Sequence, residues 1–204
     1  MGASPCEGES VFEIDEAGWL IGVRQKPSPN CDPRPFGSQV EVLIVHSISL
    51  PEGEYGGADV ERLFMNELDT QGRPAYQSLQ GLRVSAHLFI RRDGEVVQFV
   101  SFDARAWHAG VSCCEKRERV NDFSVGIELE GTDHESFAEA QYMSLIAVSQ
   151  ALMMRYPLMG SDRLYGHSDI APGRKRDPGP YFEWARYRDA MREWLVRIRE
   201  GVRA

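Results

Sequence analysis

Two short apolar runs constrain the fold of this chain more than any other feature of its sequence. Residues 40–46 (Val-Glu-Val-Leu-Ile-Val-His) are rich in β-branched side chains, which is typical of a strand buried on both faces of a sheet. Residues 124–130 (Ser-Val-Gly-Ile-Glu-Leu-Glu) alternate, with Val125, Ile127 and Leu129 on one face and small or acidic side chains on the other. Both runs predict strands near the centre of a β-sheet.

The remaining pattern adds one hairpin and three helices. An Asp-Gly pair at residues 93–94 separates the segments 85–91 and 95–100, and this pair favours the tight turn of an antiparallel hairpin. Strands combined with helices in this way predict an α/β fold, with a central mixed β-sheet flanked by α-helices. The helices are expected where apolar side chains keep helical spacing: near 58–68, 135–156 and 182–200.

The length of the chain favours one domain. At 204 residues it can bury a sizeable core, but it is short for two domains. We predict a folded domain over residues 18–200, with a flexible N-terminal tail over 1–17 and a C-terminal tail over 201–204. The first ten residues lack the apolar core of a secretory signal, and no stretch approaches the ~18 apolar residues of a membrane span.

Charge and cysteine content narrow the class of protein. A formal net charge of −8 argues against nucleic-acid binding, because no basic excess exists to replace the counterions of phosphates. The four cysteines form no Cys-x-x-Cys pair, so free thiols in a reducing compartment are the simplest interpretation. We therefore expect a cytoplasmic protein without nucleic-acid or membrane partners. Nothing in the sequence suggests an obligate protein partner, so a monomer is expected.

Three side chains are candidate metal ligands: His46, His167 and Asp177. His46 lies at the end of an apolar strand, and the other two lie in a segment rich in turn-forming residues. Two imidazoles and one carboxylate bind zinc and leave a fourth position for water, which is the pattern of hydrolytic zinc. The residues alone leave alternatives open, because a single histidine is more often structural and Asp177 could cap the last helix. The chain also contains no short zinc motif.

The other titratable residues have weaker signals. A glutamate on a buried strand is costly unless it is paired or faces a cleft, so Glu128 is the better candidate for chemistry, and Glu130 is expected to be solvated. Lys175 lies between two arginines, and a solvated basic loop is the simpler interpretation of it. Among the remaining histidines we expect His87 in a core or supporting role, His108 as a cleft residue and a third on the surface at position 134.

Several segments, in the same order along the chain, resemble one family. The resemblance runs from about residue 18 to about residue 188 and implies membership of the AmpD-type 1,6-anhydro-N-acetylmuramyl-L-alanine amidases, within the zinc amidase superfamily that includes the peptidoglycan recognition proteins. It implies that the domain over 18–200 is a zinc amidase domain. The segments that carry the resemblance are 44–57, 83–87, 91–98, 105–112, 121–132 and 166–180.

The resemblance assigns roles to particular residues. The family's zinc ligands fall on the same three positions that the residue chemistry suggests, His46, His167 and Asp177. Its catalytic glutamate and lysine fall on Glu128 and Lys175. Substrate contacts are implied for Trp107 and Arg119, and Arg83 could join Arg119 and Lys175 in a positive pocket on this acidic protein. Close relatives often have Asn where this chain has Ser47, so a hydrogen bond near the metal could differ.

The implied activity is zinc-dependent hydrolysis of the amide between the lactyl group of 1,6-anhydro-N-acetylmuramic acid and L-alanine. The substrate would be a small anhydromuropeptide, and the setting cytoplasmic recycling of peptidoglycan, with an effect on β-lactamase induction. Two alternatives are a wall-lytic amidase that acts on intact peptidoglycan and a module that binds muropeptides without cutting them. Retention of all the implied ligand and catalytic positions disfavours the binding module.

Overall fold

The two apolar runs form neighbouring strands at the centre of a six-stranded sheet. A computed structural model describes residues 12–201 of the chain. The strands are β1 Arg24–Gln25, β2 Cys31–Pro33, β3 Val42–Ile48, β4 Leu88–Ile90, β5 Val96–Gln98, β6 Ala104–Ala106, β7 Cys113–Cys114, β8 Arg117–Glu118, β9 Ser124–Glu130 and β10 Leu164–Gly166. The helices are α1 Asp59–Phe64, α2 Glu139–Arg155, α3 His167–Ile170 and α4 Trp184–Gly201, with 3₁₀ turns at Pro74–Leu79 and Val120–Phe123.

The main sheet has the mixed topology that the sequence predicts. Its strand order is β1-β5-β4-β9-β3-β10, and two small two-stranded sheets pair β2 with β6 and β7 with β8. In the main sheet only β4 and β5 are antiparallel, and they form the predicted hairpin; every other neighbouring pair is parallel. Helices cover the sheet, so the expected α/β fold class is confirmed.

The two faces of the main sheet are covered by different elements. Val45 of β3 and Ile127 of β9 project to one face, where they join the largest apolar cluster together with α2 and α4. Because successive strand residues point to opposite faces, His46 and Glu128 project to the other side. That side is covered by shorter elements, including α1 and α3, and by loops. The long helices therefore leave one face of the central strands open to a functional site.

Several element boundaries differ from the prediction. The strand predicted over 40–46 runs over Val42–Ile48, so His46 lies inside β3 and not at its end. Helix α1 ends at Phe64, because Asn66 adopts a left-handed backbone (φ 61°) that stops the helix before Leu68. Leu68 still packs against the apolar cluster beneath α1. Among the described residues, no helix is long and apolar enough to cross a membrane.

Residues 12–17, which the sequence analysis places in an N-terminal tail, contact the rest of the domain. Ile14 pairs with Leu20 in an antiparallel bridge, and the Asp15 carboxylate accepts a hydrogen bond from the backbone N–H of Trp19 at 2.8 Å. Phe12 and Ile14 also pack against the main apolar cluster, which is why this segment is ordered. Residues 1–11 and 202–204, the outer parts of both predicted tails, lie outside the described residues, and residue 201 is the last of α4.

Glu130 is buried, which corrects the expectation that it is solvated. Its side chain is 3% exposed. One carboxylate oxygen accepts the backbone N–H of Gly56 at 2.7 Å, and the other accepts the backbone N–H of Arg92 at 3.0 Å. The Arg91 guanidinium lies 3.7 Å away and adds a positive charge. Glu130 thus ties the loop after β3 to the hairpin of β4 and β5.

We predict that Glu130→Ala lowers the free energy of unfolding by about 1.5–3 kcal/mol, because two partly buried backbone N–H groups lose a charged acceptor. Glu130→Gln should cost less, since its amide oxygen still accepts one of them. Urea unfolding followed by circular dichroism measures both changes. Glu67→Ala, at an exposed glutamate, is the control. A loss below about 0.5 kcal/mol for Glu130→Ala would show that the carboxylate does not hold this loop.

Candidate metal centre and active-site cleft

The pairing of β3 and β9 places a histidine beside a glutamate. His46 and Glu128 occupy registered positions on these parallel strands, so their side chains leave the sheet side by side on the same face. Phe89 of β4 is registered with Glu128 on its other side. Both strands lie in the interior of the sheet, which fixes the relative position of the two functional groups.

The other two candidate ligands come from the segment that follows β10. His167 is the first residue of α3, directly after β10, which pairs with β3. The chain then turns, and Asp177 returns beside α3, where its carbonyl oxygen accepts the backbone N–H of Ser168 at 3.0 Å. A strand next to β3 and one backbone hydrogen bond thus bring residues 167 and 177 to His46.

The three candidate ligands converge on one point. The Nδ1 atoms of His46 and His167 lie 2.9 Å apart. The Asp177 Oδ2 atom lies 3.0 Å from the His167 nitrogen and 3.3 Å from the His46 nitrogen. Tetrahedral zinc, with ligand bonds of about 2.0–2.1 Å, requires donor atoms roughly 3.3 Å apart. The observed spacing is close to that requirement, so these residues could hold one metal ion.

The outward nitrogens of both imidazoles are occupied. The Nε2 atom of His46 lies 2.9 Å from the Nδ1 atom of His108, and the Nε2 atom of His167 lies 3.2 Å from the carbonyl oxygen of Ala109. A metal-binding imidazole usually donates its second N–H to such a partner, which orients the ring. With the protons on Nε2, both Nδ1 lone pairs point to the shared centre.

Electrostatics favour the ligand forms of these groups. Burial lowers the pKa of His46 to about 4, so its imidazole is neutral at pH 7. Burial acts to raise the pKa of Asp177, but hydrogen bonds from His167 and His46 outweigh it and hold that pKa below its usual range. A neutral imidazole and an ionised carboxylate are the forms that bind a divalent metal.

Glu128 lies beside His46 on the neighbouring strand. Its Oε2 atom is buried and has no hydrogen bond among the described residues. Burial first, and then the negative charge of Asp177, raise the pKa of Glu128 well above its usual value, while Lys175 acts in the opposite direction. A buried polar atom with no partner is costly unless another group completes it. The donor set, the oriented imidazoles and this free oxygen fit a divalent metal with a water position.

A cleft of about 450 Å³ opens at the edge of the centre. Lys175 is exposed at its wall, on the same loop as Asp177, and its backbone N–H donates to the Ala171 carbonyl at 3.0 Å. The loop after β3 forms another wall, and the 3₁₀ turn over Pro74–Leu79 contributes a third. The cleft is lined by residues 47–52, 75–76, 79, 131–133 and 174–177.

The implied substrate residues do not share this cleft. Arg119 lines a second depression next to it and forms an ion pair with Asp122 at 3.2 Å. Arg83 lines a third, smaller depression. The half-buried Trp107 donates its indole N–H to Asp32 at 3.1 Å. The structure therefore does not bring Arg83, Arg119 and Lys175 into one positive pocket.

Two supporting residues near the centre were not identified as such from the sequence. His108 was expected to line a cleft, but it is buried against His46.

Arg34 was not singled out, yet its guanidinium donates to the Phe102 and Ser124 carbonyls at 3.0 and 2.9 Å. Its buried charge approaches His87, which accepts the Gly126 N–H at 3.0 Å and holds β9. The sequence offered one indication that residue 108 lies near the site, the Trp-His pair at 107–108. It offered no comparable indication for Arg34.

Comparisons with known proteins identify the family of the chain. Residues 36–180 match the family model described as N-acetylmuramoyl-L-alanine amidase. The 1,6-anhydro-N-acetylmuramyl-L-alanine amidase AmpD of Escherichia coli (strain K12) is 55% identical over 173 residues, which are 85% of this chain and 94% of that protein. The crystal structure of a selenomethionine AmpD derivative superposes with a TM-score of 0.84 at 52% identity and covers 87% of this chain and 98% of its own.

A more distant structure was solved with a ligand. AmpDh3 from Pseudomonas aeruginosa, in complex with anhydromuramic pentapeptide, matches with a TM-score of 0.58 at 30% identity and covers 76% of this chain and 61% of its own. The matched family range contains all five positions that the sequence assigns to ligation and catalysis. These matches confirm the resemblance to AmpD-type amidases. The chain belongs to the N-acetylmuramoyl-L-alanine amidase family and is an enzyme of that class.

Proposed function

We propose that this amidase uses zinc to cleave the bond between the lactyl group of 1,6-anhydro-N-acetylmuramic acid and L-alanine in soluble muropeptides. The observation that carries the proposal is the convergence of His46, His167 and Asp177, with donor atoms 2.9–3.3 Å apart, beside the unpartnered Glu128 oxygen. From the family resemblance we further propose a monomer that acts in the cytoplasm during peptidoglycan recycling and, through the muropeptide pool, on β-lactamase induction. The catalytic domain would span residues 18–200, preceded by the segment over 12–17.

Different residues of this chain are assigned different roles in the hydrolysis. His46, His167 and Asp177 would hold the zinc ion, which would supply Lewis acidity to the attacking water and to the amide carbonyl. Glu128 takes a proton from the attacking water and later gives it to the departing alanine nitrogen. Glu128 is placed for both steps because its side chain leaves β9 beside that of His46 and one of its oxygens is buried without a partner among the described residues.

Lys175 is proposed to stabilise the charge that develops on the amide oxygen. It lines the same cleft as Asp177, and it forms no ion pair within 4.0 Å among residues 12–201 that would neutralise its ammonium. A positive group placed where negative charge develops lowers the barrier. Trp107, Arg119 and Arg83 remain proposed substrate contacts, with Arg119 in the neighbouring depression, where an extended muropeptide could reach it.

Two observations favour a small anhydromuropeptide over the alternatives. The name of the Escherichia coli relative at 55% identity specifies the anhydromuramyl substrate, and a more distant relative was solved with an anhydromuramic pentapeptide. A non-catalytic binding module would have no need of a buried carboxylate beside the ligand set. A wall-lytic amidase requires the same chemistry, so the choice of substrate separates the two enzymes.

We predict that the purified protein contains about one zinc ion per chain, because the buried group His46, His167 and Asp177 offers three donors to one ion. The other close group of donors in the described part of the chain, residues 52, 133 and 134, is largely exposed. Removal of zinc by a chelator should abolish turnover, and Asp177→Ala should bind far less zinc. Elemental analysis and activity assays measure these results, with Asp189→Ala, at an exposed aspartate on α4, as the control. Folded wild-type protein that hydrolyses its substrate without any metal would contradict the proposal.

We predict that Glu128→Gln keeps the zinc content and loses activity by about 10²–10⁴-fold, because an amide has the same shape but cannot accept the proton. The measurement is kcat/KM together with elemental analysis on one preparation. Glu193→Gln, on α4 at the opposite face of the sheet, is the matched control. Activity of Glu128→Gln equal to that of the control would remove Glu128 from the mechanism.

We predict that the enzyme prefers soluble anhydromuropeptide when polymeric peptidoglycan is offered in the same assay. The cleft of about 450 Å³ is of the size that binds small ligands. Chromatography of released peptides, with one substrate labelled, gives the ratio of the two kcat/KM values. Faster release from intact wall would instead identify a wall-lytic amidase.

A further inference from the structure

We propose that His108 is a positioning residue that fixes the ring orientation and the tautomer of His46, and that residue 126 is a glycine because the His108 ring occupies the space of its side chain. This inference rests on the proposed zinc function. It concerns a residue that binds neither the metal nor the substrate and that acts through a ligand.

The first argument is the direction of the hydrogen bonds. His46 turns Nδ1 toward the other two ligands, so its proton must lie on Nε2. That N–H points at the Nδ1 atom of His108, 2.9 Å away, which must therefore be an acceptor. The His108 proton then lies on Nε2 and is donated to the Ser124 hydroxyl at 3.1 Å. One chain of two hydrogen bonds thus allows a single tautomer for each ring.

The second argument is that this chain is shielded from solvent. His46 and Ser124 are completely buried and His108 is 9% exposed, so water cannot readily replace any partner. The rings of His46 and His108 meet edge to face, with centroids 5.0 Å apart at 84°. A different tautomer of His108 would place two N–H groups against each other inside the protein, which is a costly arrangement.

The third argument is the glycine on β9. A Cβ atom at Gly126 would lie 2.4 Å from the Cγ and Nδ1 atoms of His108, closer than real contacts allow. Gly126 lies inside a strand and has no left-handed backbone, so conformation does not require a glycine there. Glycine in a strand interior weakens the strand and often marks a close approach. The space that it leaves holds the ring behind the first ligand.

Zinc affinity tests the proposal without reference to turnover. His108→Phe keeps a ring and removes the acceptor, and its zinc dissociation constant should rise about 10–100-fold. His108→Asn offers an amide oxygen near the position of Nδ1 and should recover most of that loss. Ser124→Ala removes the group that fixes the His108 tautomer and should weaken zinc binding to a smaller extent. Competition with a chromogenic chelator measures all three values.

The control is Ser149→Ala, because Ser149 is an equally buried serine that hydrogen-bonds Leu145 and Tyr187 in the core on the opposite face. It should lose stability and keep its zinc affinity. Circular dichroism identifies any variant that fails to fold. If a His108 variant fails to fold, the proposal is tested by the zinc affinity of Ser124→Ala, which is the smallest change, and by NMR of the wild-type protein.

The wild-type protein provides a direct readout. Nitrogen-15 NMR of the zinc-loaded enzyme should find His46 and His108 both protonated at Nε2. A His108 ring protonated at Nδ1, or dissociation constants of His108→Phe and Ser124→Ala within twofold of wild type, would overturn the inference while leaving the zinc function intact. A wild-type protein that binds no zinc would overturn both proposals.

Discussion

The parallel pairing of β3 with β9 is the constraint on which the remainder of the molecule depends. Seven consecutive residue pairs join the two strands, from Val42 with Ser124 to Ile48 with Glu130. In each strand alternate residues enter the apolar core against α2 and α4, and the intervening residues, which include His46 and Glu128, project to the opposite side of the sheet. A slip by one residue would send His46 and Glu128 into that core. The apolar core thus determines the register, and the register places the ligand beside the catalytic acid.

The two carboxyl groups of the site, those of Asp177 and Glu128, disfavour each other's ionisation. Asp177 and Glu128 are two carboxyl groups close enough that the charge of one raises the pKa of the other. The imidazole of His46 is neutral and contributes no compensating charge. Lys175 supplies one positive charge from the wall of the cleft. A divalent ion between the imidazoles and Asp177 would relieve the repulsion and allow Glu128 to ionise, so the same electrostatics that make the site costly in isolation favour metal binding.

The sequence predicted those features that depend on local periodicity. The alternation of residues 124–130 indicated that Glu128 projects to the face opposite its apolar neighbours. The position of His46 at the end of an apolar run made it a candidate ligand. His167 and Asp177 lie more than a hundred residues further along, so residue chemistry could suggest them and only the family resemblance ranked them. Glu130 was misjudged because its partners are backbone N–H groups of Gly56 and Arg92, and a side-chain pattern contains no record of backbone donors.

The two imidazole ligands are oriented by different means, and this difference links distant segments of the chain. His46 is oriented by a side chain, that of His108, for which β9 provides space. His167 is oriented by the Ala109 carbonyl, which also accepts a hydrogen bond from the Arg174 guanidinium at 2.7 Å. Arg174 belongs to the loop that carries Lys175 and Asp177. Its hydrogen bond fixes the position of the Ala109 carbonyl, and that carbonyl in turn orients the ring of His167. The segment 105–112 therefore supports both imidazoles, although it contributes no ligand.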